Sequence, residues 1–329
     1  MGDEKAPDNG EAIIWADIDI ADADNKQRPD GTDIMASRRP DLYEIFRQEP
    51  QPRQKGAGAE KAEVATFQPL AQGAEAIAEL IEWLPTAEQA DVKLITLPEL
   101  FHLPQGQVED IATAASASVD MVSQVSSALN EEMLIATTIV SQQGDDVSHS
   151  AVLIDQSGII LEQPQLHTCG RHPWVTKLGD KVVTSDQPWG RVGLVVGSDA
   201  IYPETFRLLV IEEAEVVAVS TQILEPWENS LGLLERSAEN RMNLVIASQP
   251  SDAGTSMILA SDPDFTLWTT WHNRPFDGNI NTPIVSRMTK PSGGLIGTVH
   301  PAASANRTIS QNTNVVENRP WWLADALLV

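Results

Sequence analysis

The chain has 329 residues, of which 42% are hydrophobic and 21% are charged, a composition that suits a globular protein with one large domain or two small ones. Its 47 acidic side chains outnumber its 22 lysines and arginines, and the formal net charge is −25. Because this charge repels phosphate backbones and anionic membrane surfaces, we expect neither nucleic-acid nor membrane partners. We interpret the acidity as a solvated surface, and adaptation to high salt is the alternative.

The single cysteine and the hydropathy pattern bear on location. Cys169 has no second cysteine to pair with, so an intrachain disulfide is excluded and a reducing compartment is favoured. No run of residues approaches the roughly 18 apolar residues that a membrane span requires. The first residues contain no hydrophobic stretch typical of a signal peptide. We therefore expect a cytoplasmic protein.

The N-terminal part of the chain shows three different compositions. Residues 1–9 are polar, and we expect them to be disordered. Residues 12–20 (AIIWADIDI) end in an alternation of apolar and acidic residues that predicts a strand. Residues 47–62 are rich in Gln, Pro, Gly and Ala and contain almost no large apolar residue, which predicts a linker.

From Glu63 onwards, predicted strands alternate with predicted helices. Ile77, Leu80, Ile81 and Leu84 follow the spacing of the buried face of an amphipathic helix. The predicted strands cover residues 64–68, 92–97, 133–140, 150–154, 159–161, 191–196, 216–220 and 244–248, and the predicted helices cover residues 73–84, 107–130, 203–213 and 230–242. This alternation indicates a layered α/β fold.

Five segments between residues 64 and 260 carry motifs whose order is informative. They are Gln68 at the end of the first strand, residues 97–101 (LPELF), residues 190–207 (GRVGLVVGSDAIYPETFR), residues 236–241 (RSAENR) and residues 254–258 (GTSMI). In this order the segments resemble the nitrilase, or carbon–nitrogen hydrolase, superfamily. The resemblance implies an α/β fold of the nitrilase type, a four-layer αββα sandwich, over residues 63–290.

The resemblance also implies a catalytic set of one glutamate, one lysine and one cysteine. Glu99 matches the glutamate, whereas Gln165 stands at the lysine position and Gly197 at the cysteine position. Glycine cannot supply a nucleophile, and a neutral amide cannot supply the cation that stabilises an oxyanion. We therefore predict a member that has lost hydrolysis, and we expect no cofactor. The pocket residues expected around this set are His102, His167, Cys169, Asp199 and Glu204.

Two residues are candidate substitutes for the missing nucleophile. Ser198 follows Gly197, but a neighbouring side chain normally points elsewhere, so we interpret it as a structural residue. Cys169 lies four residues beyond Gln165. A lone cysteine is more often a small buried apolar residue than a nucleophile, and a displaced nucleophile remains the alternative.

A group of histidines raises a metal site as a further alternative. His167, Cys169 and His172 lie close together in sequence, and His102 follows Glu99 by three residues. These residue types bind zinc, but their spacing matches no established zinc motif. We therefore interpret them as hydrogen-bonded loop residues and predict no metal.

Both ends of the chain fall outside the central domain. Residues 10–46 contain the sequences GEAIIWADID and RRPDLY, which resemble the C-terminal tail of a nitrilase-type domain, although here they precede the domain. The chain is then part of a tandem arrangement or is circularly permuted, and both explanations predict contact with a second nitrilase-like domain or subunit. Residues 291–329 form a C-terminal extension that matches no family pattern we can place, and Trp321 and Trp322 are a candidate interface anchor.

Three functions agree with these features. We prefer a non-catalytic module for assembly or for binding a small amide or carboxylate. The first alternative is an amide or nitrile hydrolase that uses a displaced nucleophile or a metal. The second is the structural half of a tandem pseudo-dimer whose partner performs the chemistry.

Overall fold

The computed structural model describes residues 10–266, 270–272, 275–276 and 280–328, so the disorder expected for residues 1–9 lies outside the described residues. The strands are β1 (Ala62–Gln68), β2 (Leu94–Thr96), β3 (Leu134–Gln143), β4 (Asp146–Asp155), β5 (Gly158–Pro164), β6 (Thr184–Gln187), β7 (Gly190–Val196), β8 (Val216–Thr221), β9 (Asn243–Ser248), β10 (Met257–Ala260), β11 (Ile284–Arg287), β12 (Gly293–Val299), β13 (Thr308–Ser310) and β14 (Thr313–Asn314). The α-helices are α1 (Ala74–Gln89), α2 (Ile111–Ala128), α3 (Pro203–Ile211), α4 (Leu233–Asn240) and α5 (Pro301–Ala305). None of the described helices is both long and apolar enough to cross a membrane.

Two six-stranded sheets form the centre of the molecule. The strand order is β12-β1-β2-β3-β4-β5 in the first sheet and β11-β10-β9-β8-β7-β6 in the second. Apolar side chains from the facing sides of both sheets, such as Val64 and Val245, form one core. Helices α1 and α2 cover the outer side of the first sheet, and α3 and α4 cover that of the second. The predicted four-layer αββα sandwich is confirmed.

The residue pattern explains why these elements take these positions. In β1, Val64 contacts the core between the sheets, whereas Ala65 and Phe67 contact the outer helices. Apolar residues on both faces are typical of a strand that is covered on both sides. The predicted amphipathic face of α1 packs on the same outer core through Ile77 and Leu80.

The strand predicted over residues 12–20 is wrong for this structure. Residues 11–19 are exposed and have no regular structure, and a short 3-10 helix covers Ile20–Asp24. Asp19 caps this helix by accepting a hydrogen bond from the Ala21 N–H at 2.9 Å. Alternation alone does not make a strand, because the backbone groups also need a neighbouring strand to bond to. Within the described residues, none lies beside this segment.

The boundary expected at residue 290 does not separate two structural units. Strand β12 pairs antiparallel with β1 over its whole length and forms the edge of the first sheet. Leu295 and Val299 contribute to the core between the sheets, and Ile296 packs on the outer core. Because β1 and β12 are far apart in the chain, local sequence patterns could not reveal this pairing.

The fourth helix is shorter than its pattern predicts. A π-helical turn covers Glu228–Gly232, and α4 ends at Asn240 because Arg241 adopts a left-handed conformation with φ of 55°. A helix is therefore present within the predicted range 230–242, but the α-helical part covers only Leu233–Asn240.

The segment between residue 47 and β1 has neither helix nor strand but is attached to the domain. Arg53 forms an ion pair with the buried Glu215, and the Gln54 N–H donates to Glu213. Before it, the 3-10 helix Pro40–Arg47 packs Leu42, Tyr43 and Phe46 against Leu166, Leu208 and Ala324.

Candidate functional site

Five polar side chains meet beside the point where the chain leaves β7. They come from the loop after β2, from β4, from the end of β5 and from the loop before β6. Four are buried, and the side chain of the fifth, an arginine, is 16% exposed. These residues, which we call the polar cluster, are Glu99, His149, Gln165, Arg171 and His172.

Glu99 is the charged centre of the polar cluster. Its Oε2 accepts a hydrogen bond from Arg171 Nη1 at 2.6 Å, and its Oε1 lies 3.6 Å from His172 Nε2 and 3.8 Å from His149 Nδ1. Burial raises the pKa of Glu99, but the positive charge of Arg171 beside it outweighs burial, and the pKa is lowered to about 2. Glu99 is therefore ionised at neutral pH, and Arg171 is its counter-ion.

Gly197 has no room for a side chain. It follows β7 with φ of +24°, and an ideal Cβ built on it would lie 2.0 Å from Glu99 Oε1 and 2.8 Å from Glu99 Cδ. Carbon and oxygen atoms in ordinary contact are well over 3 Å apart. The Glu99 carboxylate therefore fills the space that a side chain at position 197 would need.

Gln165 uses both ends of its amide inside the protein. Its Oε1 lies 3.1 Å from His149 Nδ1 and 3.0 Å from His172 Nδ1, and its Nε2 donates to the His167 carbonyl at 2.6 Å. Burial lowers the pKa of His149, and burial with the neighbouring His149 lowers that of His172 to about 3. The imidazoles are therefore neutral at pH 7, and Gln165 holds them in place.

Asp199 joins the loop after β7 to the end of β5. Its carboxylate accepts hydrogen bonds from the N–H groups of Leu166 at 2.8 Å and His167 at 3.0 Å, and lies 2.8 Å from His167 Nδ1. The His167 ring also stacks on Tyr202, with 3.7 Å between ring centroids. Both expected pocket residues, His167 and Asp199, thus hold the backbone beside Gln165 and do not reach Glu99.

The other expected pocket residues lie outside the polar cluster. His102 Nε2 is 2.9 Å from Ser118 Oγ, and burial lowers the pKa of His102 to about 3. Glu204 lies in the first turn of α3 and pairs with Arg38 at 3.4 Å.

The two candidate substitute nucleophiles are both buried. Cys169 Sγ lies 3.5 Å from Asp30 Oδ2, and burial raises the pKa of the thiol, which keeps it protonated. Ser198 is buried in the turn after β7. Neither hydroxyl nor thiol is therefore prepared to attack a substrate.

The residues that sequence reasoning missed are His149 and Arg171. His149 lies within a strand, where its pattern resembles that of any buried polar residue. Arg171 lies between Cys169 and His172, which were considered as a nucleophile and a metal ligand. Its place beside these candidate residues was the one indication in the sequence that it could belong to the site. The structure brings both to Glu99.

A segment of the N-terminal region covers this site. We call residues 28–37 the cap segment. Arg28 pairs with Glu225 at 3.3 Å and with Glu228, which anchors one end of the cap segment beside α4. The Gly170 N–H donates to Thr32 Oγ1 at 2.9 Å, and Arg171 Nε lies 3.8 Å from Asp30 Oδ2.

The contact at Gly170 is too close for any side chain. An ideal Cβ there would lie 1.9 Å from the Asp30 carbonyl oxygen. The cap segment therefore lies directly on the loop that carries Arg171.

One group of potential metal ligands exists among the described residues. One ligand atom from each of Glu99, His149 and His172 lies within 4.8 Å of the others. Carboxylate and neutral imidazole are suitable zinc ligands, but the Arg171 guanidinium already bonds to Glu99 and its charge opposes a second cation. Of the residues raised as an alternative metal group, His102, His167, Cys169 and His172, only His172 belongs to this set.

Comparison with known proteins agrees with this architecture. The Carbon-nitrogen hydrolase family model matches residues 55–266, and the chain belongs to this family. A nitrilase from Pyrococcus abyssi (strain GE5 / Orsay) is 24% identical over 169 residues, which cover 50% of this chain. The chain spans just under two thirds, 64%, of the length of that relative.

Solved structures share the fold. A cysteine-to-alanine variant of the Nesterenkonia AN1 amidase from the nitrilase superfamily superposes with a TM-score of 0.61 at 16% identity, covering 82% of this chain and 100% of that one. An amidase from Nesterenkonia sp. gives a TM-score of 0.60 at 15% identity, covering 78% and 97%. At these identities the likeness extends to the fold alone.

Proposed function

We propose that this chain is a non-catalytic member of the carbon–nitrogen hydrolase family that acts as an assembly module. The observation that carries this proposal is the position of the Glu99 carboxylate, 2.0 Å from where a Cβ at residue 197 would lie. A glutamate that serves as a general base must leave room for the nucleophile and the substrate carbon beside it. Here it occupies that room itself.

The remaining charges of the polar cluster support a structural role. Catalysis needs a donor that strengthens its bond as charge develops on the substrate. Arg171 instead bonds to Glu99 in the resting molecule, and Gln165 is bonded to the two imidazoles and a carbonyl. Most of the polar atoms of the cluster are therefore bonded to one another, and three buried atoms, Glu99 Oε1, His149 Nε2 and Arg171 Nε, have no hydrogen-bond partner among the described residues.

The cap segment favours assembly over binding of a small amide or carboxylate. Its residues Asp30, Thr32 and Ser37 contact residues 168–171. Arg171 of that loop in turn bonds to Glu99. Since the buried thiol of Cys169 is the protein's single cysteine, a reducing cytoplasmic location is part of the proposal.

A panel of aliphatic and aromatic amides and nitriles tests the proposal directly. We expect the purified chain to release no more ammonia than its Glu99→Gln variant. Turnover by the wild-type chain that disappears in Glu99→Gln would refute the non-catalytic assignment. Labelling by a thiol-directed electrophile, with Cys169→Ala as control, separately tests a displaced nucleophile; we expect none in the folded state.

A metal-assisted hydrolase is the second candidate, carried by the proximity of Glu99, His149 and His172. Zinc would need these three ligands and would activate a water molecule. Dialysis against zinc followed by elemental analysis distinguishes the candidates. One tightly held zinc per chain, lost in His172→Ala, would favour this second function, whereas no retained zinc in the wild-type chain would exclude it.

A further inference from the structure

The two ends of the chain repeat each other in sequence. Residues 12–47 align with residues 293–327 when one gap is allowed in the C-terminal segment, between residues 314 and 319. Five positions are identical and others are similar in chemistry. The identical pairs are Ala21 with Ala302, Asn25 with Asn306, Thr32 with Thr313, Arg39 with Arg319 and Pro40 with Pro320, and the similar pairs are Ile14 with Leu295, Ile18 with Val299 and Lys26 with Arg307.

The two ends also repeat each other in structure. The 3-10 helix Ile20–Asp24 begins and ends at the positions that align with the first and last residues of α5. The bridge between Gln27 and Asp33 matches the pairing of β13 with β14. The 3-10 helix Pro40–Arg47 matches the 3-10 helix Trp321–Leu327, since both follow an Arg-Pro pair. The C-terminal extension is therefore a second copy of the N-terminal tail.

The copies also contact each other. Arg38, which precedes the Arg319 counterpart Arg39, donates to the Leu327 carbonyl at 3.2 Å, and Arg319 donates to the Gln48 carbonyl at 2.8 Å, so an arginine from each copy reaches the end of the other copy's 3-10 helix. Arg47 also pairs with Asp325 at 2.8 Å. The arginines are not equivalent positions, but two like elements that pack against each other resemble the arrangement about a two-fold axis. Residues 20–47 thus lie where the tail of a second unit would lie.

One element differs between the copies. In the C-terminal copy, β12 completes the first sheet by pairing with β1. Its counterpart, residues 12–18, lies in no strand of the described structure, and Ile13, Trp15 and Ile18 are 93%, 77% and 81% exposed. An exposed strand-forming segment of this composition is prone to pair with another sheet edge.

We propose that residues 12–18 form the antiparallel edge strand of a second nitrilase-like unit, paired with the strand of that unit that corresponds to β1. The inference rests on the assembly role proposed above and names its contact surface. In the register of β12, Ile14 and Ile18 enter the core between the partner's sheets, and Trp15 packs under its outer helices, as Leu295, Val299 and Ile296 do here.

The chemistry of the partner follows from the same register. A second copy of this chain does not fit, because its β1 edge is already covered by its own β12. The partner is a nitrilase-like unit whose corresponding edge is open. Thr298 donates to Glu63 at 2.8 Å across the β12–β1 pair, and Asp17 is the counterpart of Thr298. Since a carboxylate accepts, we expect lysine, arginine, serine or threonine at the partner position that corresponds to Glu63.

Photo-crosslinking tests the proposal with the full chain. Trp15 is replaced by p-benzoylphenylalanine, the protein is added to extract of the cells that naturally produce it, and cross-linked peptides are identified by mass spectrometry. We expect them to come from the β1-like strand or the α1-like helix of a nitrilase-like unit. The same probe in place of Val119, which is 69% exposed on α2, is the control. Cross-links confined to unrelated proteins, or no yield above that control, would overturn the proposal.

A variant pair and an exchange measurement sharpen the test. Ile14→Lys with Ile18→Lys should lower the specific cross-link at least tenfold, whereas Asp22→Lys, in the exposed 3-10 helix, should leave it unchanged; equal loss in both would contradict the register. In the purified chain alone, amides of residues 12–18 should exchange hydrogen like an unfolded peptide while those of β12 are protected. Protection of residues 12–18 there would also refute the proposal.

The two proposals fail separately. Amide or nitrile turnover would remove the non-catalytic assignment without affecting the cross-link. Absence of the cross-link would remove the edge-strand role and leave the hydrolytic assignment as it stands.

Discussion

The polar cluster and the segment of residues 12–18 are opposite in burial and in chemistry. Glu99 and Gln165 are 6% and 0% exposed, and Glu99 Oε2 and both ends of the Gln165 amide form hydrogen bonds within the chain. Ile13 and Trp15 are 93% and 77% exposed, so no described apolar side chain covers them. The polar cluster thus uses most of its groups inside the fold, whereas the apolar side chains of residues 12–18 remain open to a partner. Each prediction below tests one side of this contrast.

The largest expected effect comes from breaking the Glu99–Arg171 pair. Arg171→Met should lower the free energy of unfolding by about 3–5 kcal/mol, because it leaves the buried Glu99 carboxylate without a counter-ion. Urea unfolding monitored by circular dichroism measures this. Adding Glu99→Gln to Arg171→Met should recover a large part of the loss.

A matched control is Arg47→Met, since the Arg47 side chain is itself 47% exposed and forms its ion pairs on the surface. Its effect should stay below about 1 kcal/mol. An equal loss in both arginine variants would mean that Arg171 contributes packing and not charge compensation.

Acid should destabilise the polar cluster in two stages. The pKa of Glu99 is lowered to about 2 and that of His172 to about 3, each below its unfolded value, so the unfolded state binds protons first as pH falls. The stability from the neutral imidazole is present above its unfolded pKa and declines below about pH 6.5, and that from Glu99 declines below about pH 4.5.

Unfolding free energies measured from pH 7 to pH 3 check this order. His172→Gln should flatten the upper part of the curve and Glu99→Gln the lower part, each on the order of 2 kcal/mol. The variant Glu109→Gln, at an exposed position, serves as reference. A curve for His172→Gln that parallels the wild type above pH 5 would rule out the neutral buried imidazole.

A side chain at residue 197 should be costly only while Glu99 is present. Gly197→Ala should destabilise the chain by about 1–3 kcal/mol through overpacking against the carboxylate. In a Glu99→Ala background the same substitution should cost measurably less, and a double-mutant cycle gives the coupling. Additive effects would show that the Glu99 carboxylate does not fill this space.

The smallest expected effect is at the unpaired tail. Ile14→Ala should change the stability of the isolated chain by less than about 0.5 kcal/mol, because Ile14 contacts no core. The matched change Leu295→Ala in β12 should cost about 2 kcal/mol. Thermal unfolding of both variants compares the copies directly, and a large effect of Ile14→Ala would mean that the tail packs within its own chain.

The sequence allowed most of the architecture and part of the site to be predicted. Glu99, Gln165 and Gly197 do lie in one region around the end of β7, as their motifs implied. His149 and Arg171 escaped prediction because their importance depends on which strand ends meet. His102, His167 and Cys169, which we expected to line one pocket, each contact a different neighbour in the structure.

The amino-acid pattern alone predicts most of the elements and the faces that they bury, since a 3.6- or two-residue period reflects local exposure. It also gives the excess of acidic residues and the absence of a side chain at residue 197. Two features follow from the folded arrangement: β12 covers β1 while its N-terminal counterpart remains unpaired, and the cap segment lies on Arg171. Sheet edges and buried charges find their partners far along the chain, so a local pattern contains no trace of them.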